Sequence, residues 1–345
     1  MLEQNRSAHD NSDLPDLDNR LEEQTEQLEI KEIAAFFNPN SADAIRAFRH
    51  FDDAMDMPVT RIHSVAGGAV PNADVMRQHG ELLGQHTLFV VIGGDGLAHT
   101  AANARAMVSP EDSRVGETNF LFINGGTAGD TAKSLNRPSM LARPDRILRN
   151  GWLQDIYPME MTIDFPDGEQ EVMQALGYNS LGSFTGLAAE GINGKNHREG
   201  LLNQYRMTKR LAQFLSGMKA LKDSWPVELT IDGEDRHESL DIHCLSGPIM
   251  ATIQHNATEL TDPGFHVVEN THASLTYLAS QALKLNAGRL IDKTASLRTE
   301  LSVTTHTPAV LQAGGETWRV PAETSLSIGI GEPISALTTR PELHL

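Results

Sequence analysis

The chain has 345 residues and a formal net charge of −18 at pH 7. That length exceeds a typical single domain and sets two domains as the expectation. The charge excludes a sequence-independent nucleic-acid binder, which needs a basic surface, and opposes a general attraction to anionic lipid.

No apolar run nears the roughly 18 residues of a spanning helix. Cys244 is the only cysteine, which excludes an intrachain disulfide and a thiolate metal cluster. It reads as a small buried apolar residue. Residues 1–30 hold nine Asp/Glu against Arg6 and Arg20 and few large apolar side chains, the composition of an acidic mobile tail. The opening residues Met1–Arg6 lack the apolar core of a signal peptide. Together these features favour a cytoplasmic protein.

From residue 31 to about 145 the pattern alternates strand and helix. Ile33–Phe37 is a short apolar run, followed by the turn Asn38-Pro39-Asn40-Ser41. Asn40 or Ser41 is placed to cap a helix carrying Ile45, Phe48 and Phe51. Val59–Val65 reads as a strand, Ala73–Leu83 as a helix, Thr87–Ile92 and Asn119–Ile123 as further strands, and Leu97–Met107 as a helix. Strands without polar alternation, separated by helices, predict a Rossmann-like parallel sheet covered on both faces. Ligands on such sheets sit at the C-terminal strand ends, where all the Gly- and Asn-rich turns of this segment fall.

After Asn136 the texture changes, with Pro138, Pro144 and Gly151 marking a connection. Residues 146–340 read as a β-sandwich domain with hairpin turns at Pro166-Asp167-Gly168 and Asp232-Gly233-Glu234. Two helices, over about 200–221 and 273–285, interrupt it, and Leu297–Leu337 reads as an antiparallel meander.

Two turns carry the chemistry. Gly93-Gly94-Asp95-Gly96 ends the Thr87–Ile92 strand, and Gly125-Gly126-Thr127-Ala128-Gly129-Asp130 ends the Asn119–Ile123 strand. Glycine lets the backbone approach a phosphate, and free N–H groups at a helix start can face it. If the two strands are neighbours, Asp95 and Asp130 share one rim of the sheet. Two carboxylates beside a polyphosphate suit Mg²⁺, a hard cation that keeps several waters; alternatively, one accepts a proton from an attacking hydroxyl. Either aspartate also suits plain helix capping.

These motifs resemble the diacylglycerol kinase catalytic domain family, which includes sphingosine and ceramide kinases. Its signatures Asn-Pro-x-(Ser/Ala)-Gly, Gly-Gly-Asp-Gly-Thr and Gly-Thr-x-Asn-Asp stand here as Asn38–Ala42, Gly93–Leu97 and Gly126–Asp130. The likeness continues through Gly177–Ser180, Arg198–Gly200 and Gln312–Glu316 and covers about 31–340. It implies an α/β domain and a β-sandwich with ATP in the cleft between them. It would place Asn38, Ser64, Gly93, Gly94, Gly96, Gly126, Thr127 and Glu316 around the nucleotide. Asp95 would activate the acceptor hydroxyl or place Mg²⁺, Asp130 would support the metal, and Asp262 would belong to the catalytic acidic network. On the residues alone, Asn38, Ser64 and Glu316 fit a turn, a strand end and a hairpin equally well, and Asp262 fits a loop position.

The chain departs from the pattern at Leu97 (a hydroxyl residue in the family), Gly129 (Asn), Gly314 (Asp) and His266 (Asp). The resemblance implies an ATP- and Mg²⁺-dependent lipid kinase acting on a lipid or lipid-like alcohol. A non-catalytic nucleotide-binding module, or a kinase of a soluble alcohol such as NAD, are the alternatives. Leu201–Leu221 is amphipathic and locally basic, which fits either a solvated helix or transient contact with a membrane surface. A homodimer is a further partner expectation.

Overall fold

The computed structural model describes residues 30–126, 129–136, 143–183, 225–250, 253–254, 259–271, 297–313 and 316–339. Its first part runs β1 (Glu32–Phe37), α1 (Ala42–Asp53), β2 (Val59–His63), α2 (Ala69–Gln78), β3 (Thr87–Gly93), α3 (Asp95–Val108), α4 (Ser113–Gly116), β4 (Asn119–Asn124), α5 (Asp130–Leu135), α6 (Pro144–Asn150) and β5 (Trp152–Ile156). These strands and the last described strand, β20 (Ile334–Thr338), form one sheet in the order β2-β1-β3-β4-β20-β5. All neighbours are parallel except β20 and β5.

Successive residues of the central strands face opposite cores, which is why the sequence shows no polar alternation. Ala34, Phe36, Phe89, Val91, Phe120 and Phe122 pack with Ala73 and Met76 of α2 and the alanines of α3. Ile33, Phe37, Leu88, Val90, Leu121 and Ile123 pack with Ala44, Phe48 and Phe51 of α1. Each fully buried large apolar side chain contributes about 1.5–3 kcal/mol. The aligned ends of β1, β3 and β4 are therefore rigidly held. Ser41 starts α1 as its sequence position suggests, its Oγ accepting from the Ala44 N–H at 3.2 Å.

The second part comprises β6 (Met159–Asp164), β7 (Gln170–Ala175), β8 (Tyr178–Gly182), β9 (Val227–Ile231), β10 (His237–Ser239), β11 (Asp241–Leu245), β12 (Ile249–Met250), β13 (Ile253–Gln254), β14 (Phe265–Asn270), β15 (Leu297–Arg298), β16 (Leu301–Thr305), β17 (Ala309–Ala313), β18 (Glu316–Val320) and β19 (Thr324–Ile330). Two antiparallel six-stranded sheets, β10-β9-β16-β19-β6-β7 and β15-β14-β11-β8-β17-β18, enclose a common core that includes Met161, Leu181, Val303, Leu311 and Cys244. This is the expected β-sandwich.

Four expectations need correction. Residues 297–337 are not one meander: β16 and β19 lie in one sandwich sheet, β17 and β18 in the other, and β20 returns to the parallel sheet. Turns there were legible, but strand partners are long-range and leave no local signal. For the same reason β5 and β20 lie outside the sandwich into which the 146–340 boundary would put them. The Pro138–Gly151 connection contains α6, with Pro144 in its first turn, where a missing N–H costs nothing. Helix α2 starts at Ala69 rather than Ala73, directly after Gly67-Gly68, and stops at Gln78. The two helices expected near 200–221 and 273–285, and the acidic tail, lie outside the described residues.

Helix α3 ties the two parts together. The buried Asn103 side chain donates to the Gln174 carbonyl on β7 at 2.7 Å and accepts from the Gln174 N–H at 2.7 Å. Arg105, on the same helix, donates to the carbonyls of Gly116 and Pro333. The helix that begins at Asp95 is thus fixed to both the parallel sheet and the sandwich.

Candidate active site

β3 and β4 are neighbours, and their register ends on the pair Gly93 and Asn124. Both glycine turns therefore leave the sheet side by side. The Gly125 N–H donates to the Gly93 carbonyl at 2.9 Å. A Cβ on Gly126 would stand 2.7 Å from both Cα and N of Gly94, and one on Gly93 would stand 2.7 Å from Cδ2 of Leu97. Gly126 is needed because the two turns dock backbone to backbone, and Gly93 because the Leu97 side chain packs against it. Gly94 caps α3 without a side-chain hydrogen bond, an arrangement suited to an anion.

Asp95 is the first residue of α3. Its Oδ1 accepts from the Thr131 N–H at 2.9 Å and from Thr131 Oγ1 at 3.2 Å. The carboxylate does not cap its own helix but bridges to the first turn of α5. Asp130, buried at 3% exposure, opens α5 immediately before Thr131. The structure thus brings Asp95 and Asp130 together at one rim. Among the described residues no group of three His, Cys, Asp or Glu could hold a metal. Two hard oxygen donors beside a polyphosphate do fit Mg²⁺, which takes one or two carboxylates and completes its shell with water and phosphate oxygens.

A cavity of about 300 Å³ opens at the strand ends. Asn38, Ser64, Gly93, Gly94, Gly96 and Gly126 all line it, as six of the expected nucleotide positions. Asn38 shapes its turn as well, its Oδ1 accepting from the Asn40 N–H at 2.9 Å. The Ser64 N–H donates to the Phe37 carbonyl at 2.9 Å, holding the end of β2 against β1. Thr127 lies outside the described residues, and Glu316 opens β18 opposite Ala313. Asp262 does not line the cavity. Its carboxylate accepts from the Glu259 N–H at 2.8 Å, closing a turn whose Leu260 sits in the core of the parallel-sheet part.

Asn72 and Thr100 are among the cavity residues that escaped the sequence reading. Buried Asn72 on α2 accepts from the Val65 N–H at 3.0 Å and donates to the Val65 and Gly68 carbonyls at 2.9 and 2.6 Å. It clamps the 64–68 loop, where Gly67 and Gly68 adopt φ of 108° and 80°. Thr100 and Leu97 form the α3 wall. A Gly-Gly pair followed four residues later by Asn was the available signal.

The departure at Gly129 has a local cause. Its φ is 64°, and a Cβ there would stand 2.3 Å from Cγ of Asn124, whose Oδ1 accepts from the Gly126 N–H at 3.0 Å. Asn124 fills the space that a side chain at 129 would need.

In the sandwich, Tyr178 stands at the start of β8. Burial, the carboxylates of Asp95 and Asp130, and a weaker opposing hydrogen bond from Gln312 combine to raise its phenol above the ordinary tyrosine range. His99, one turn beyond Asp95, is pushed down to about 4 by burial. It stands neutral, and its Nδ1 has no hydrogen-bond partner among the described residues.

No protein-family model and no curated protein matches the chain. Solved structures do. One, provisionally designated a diacylglycerol kinase from Bacillus anthracis str. Sterne, is 13% identical with a TM-score of 0.60, covering 91% of this chain and 99% of that one. A second of the same designation and source is 12% identical with a TM-score of 0.59 over 90% and 98%. A third, a diacylglycerol kinase from the same organism, is 12% identical with a TM-score of 0.55 over 90% and 97%. The chain therefore has the two-domain fold of these diacylglycerol kinase-like structures over nearly its whole length. Its three motifs resemble the same group. Among the described residues no helix is long and apolar enough to cross a membrane.

Proposed function

We propose that the chain is an ATP-dependent kinase that transfers the γ-phosphoryl group to a hydroxyl of a diacylglycerol- or sphingosine-like lipid. The observation that carries this reading is the pair of docked glycine turns beside a cavity lined by Asn38, Ser64, Gly94 and Gly96, with Asp95, the residue between Gly94 and Gly96, locked to Thr131. The likeness to the Bacillus anthracis structures supports it at the level of fold.

Phosphoryl transfer asks the protein for positioning and charge neutralisation more than for covalent chemistry. The backbone N–H groups at the start of α3 would face the phosphates. Asp95, fixed by two bonds from Thr131, would orient the acceptor hydroxyl and take its proton as the new O–P bond forms and the bond to the departing ADP oxygen breaks. Asp130 would support Mg²⁺, which supplies positive charge against the phosphates; in the alternative role Asp95 would hold the metal with it instead of taking the proton.

The test is phosphate transfer from radiolabelled ATP across a panel of dispersed diacylglycerols, sphingosine and water-soluble alcohols. The reading predicts a labelled lipid. One observation favours a second reading, a nucleotide-binding module without turnover. Leu97 places an apolar wall where a hydroxyl would contact phosphate. ATP-induced thermal stabilisation with no labelled product from any acceptor would select it.

A further inference from the structure

The described lining of the cavity contains no Lys, Arg or His. Besides backbone N–H groups it offers the hydroxyls and amides of Asn38, Ser41, Ser64, Asn72 and Thr100. Three of these are engaged within the protein. Asn72 uses its amide on the 64–68 loop, Ser41 Oγ accepts at the start of α1, and Asn38 Oδ1 accepts within its own turn. Thr100 is different. Ser41 and Ser64 are half-buried, whereas Thr100 is only 8% exposed, yet its hydroxyl has no hydrogen-bond partner among the described residues. A buried hydroxyl is unfavourable unless something supplies that partner.

Its place on α3 gives the hydroxyl a direction. Thr100 follows Gly96 by four residues and Leu97 by three, so the three share one helix face, and all line the cavity. Helical side chains lean toward the N-terminus and cover the turn before them. Thr100 therefore leans over Gly96, which has no side chain, toward the helix start. There the N–H groups of Asp95 and Gly96 precede the first intrahelical bonds, which Leu97 and Ala98 donate to the Gly94 carbonyl.

We infer that Thr100 is a phosphate-binding residue, its hydroxyl donating to an oxygen of the polyphosphate held at the start of α3. The inference rests on the nucleotide part of the kinase reading and adds to it a side chain one turn inside the helix. Hydrogen bonds to a charged oxygen are stronger than those between neutral groups, which suits a cavity lined without cations. Leu97 packs against Gly93 and brings no donor; the hydroxyl comes from the next turn instead.

Thr100→Val removes the hydroxyl and keeps the shape. Titration calorimetry with ATP and Mg²⁺ should show roughly 10-fold weaker binding, as for a lost hydrogen bond to a charged group. Thr100→Ser keeps the hydroxyl and should bind within about threefold of the wild type. Without nucleotide, the urea midpoint of Thr100→Val should be unchanged or higher, because no protein partner is lost. In phosphorus NMR at saturating ATP, a resonance of the bound nucleotide should move between wild type and Thr100→Val. Unchanged resonances would put the hydroxyl against the sugar or base and overturn the inference. So would wild-type ATP affinity in Thr100→Val, or a lowered urea midpoint with equal losses of affinity in Thr100→Val and Thr100→Ser, the mark of a structural residue. Thr100→Ala makes the same comparison if Thr100→Val does not fold. Each of these outcomes leaves the kinase reading standing. A wild-type protein that binds no ATP overturns that reading, and this inference with it.

Discussion

Placing one methyl group at Gly126 should separate the two turns on which the site depends. The new Cβ would lie 2.7 Å from Gly94 Cα and N, and ordinary contact begins at 3.4 Å, so the turns must part by about 0.7 Å. Backbone is on both sides, and no flexible side chain can move away instead. Overpacking of this kind costs about 1–3 kcal/mol of stability. Gly94 directly precedes Asp95, so the displacement passes to the carboxylate. Misplacing a reacting group by about 1 Å costs on the order of 100-fold in rate. Gly126→Ala should therefore fold with a reduced urea midpoint and lose roughly 10–100-fold in phosphoryl transfer. Gly168→Ala is the control: φ is 90° in open space on the β6–β7 turn, so it should lose about 1–2 kcal/mol of stability and no activity. Full stability and full transfer in Gly126→Ala would refute the docked-turn geometry.

Two further outcomes follow from buried titratable groups. Burial holds both His99 and His243 down at about 4, against 6.5 in the unfolded chain. The unfolded state binds their protons first, so stability is full above about pH 6.5 and falls as pH drops towards 4, by up to about 3 kcal/mol per histidine. Urea titrations at stepped pH should show this slope, and His99→Gln should remove about half of it; an unchanged slope would contradict the buried, neutral His99. Cys244, fully enclosed in the sandwich core, has its thiol pushed up to about 12 by burial, with Arg298 opposing weakly. It should resist a thiol reagent in the native protein and react at the rate of global unfolding; fast native labelling would show that the sandwich core opens.

The parts of the fold written in local sequence were readable, and the parts set by distant partners were not. The apolar runs of β1, β3 and β4, the Ser41 cap and the glycine turns are local signals, and each element stands within two residues of its expected place. The Asp95 and Asp130 pairing required only that β3 and β4 be neighbours, as they are. The return of β20 to the parallel sheet depends on a partner more than 200 residues away in the chain, the Ser335 Oγ bond to Asn119 being one of its anchors. Nothing in the local pattern of 334–338 distinguishes it from a sandwich strand. Asn72 was hidden for a related reason: a buried Asn in a helix is explained only by the loop that it clamps. Leu97 was visible as a departure, but its contact with Gly93 was not, because that packing crosses the start of the helix.

The central claim is that Asp95 serves the chemistry beyond organising the loops. Asp95→Asn separates the two roles, because an amide oxygen still accepts from the Thr131 N–H and hydroxyl that now bind Oδ1. The decisive measurement is labelled-phosphate transfer from ATP to a lipid acceptor by the wild type and by Asp95→Asn, at nucleotide concentrations where both are saturated. The account predicts transfer by the wild type and a loss of at least about 100-fold in the variant, a proton acceptor typically contributing 10²–10⁴-fold. Equal transfer by the two proteins, or none by the wild type, would contradict it.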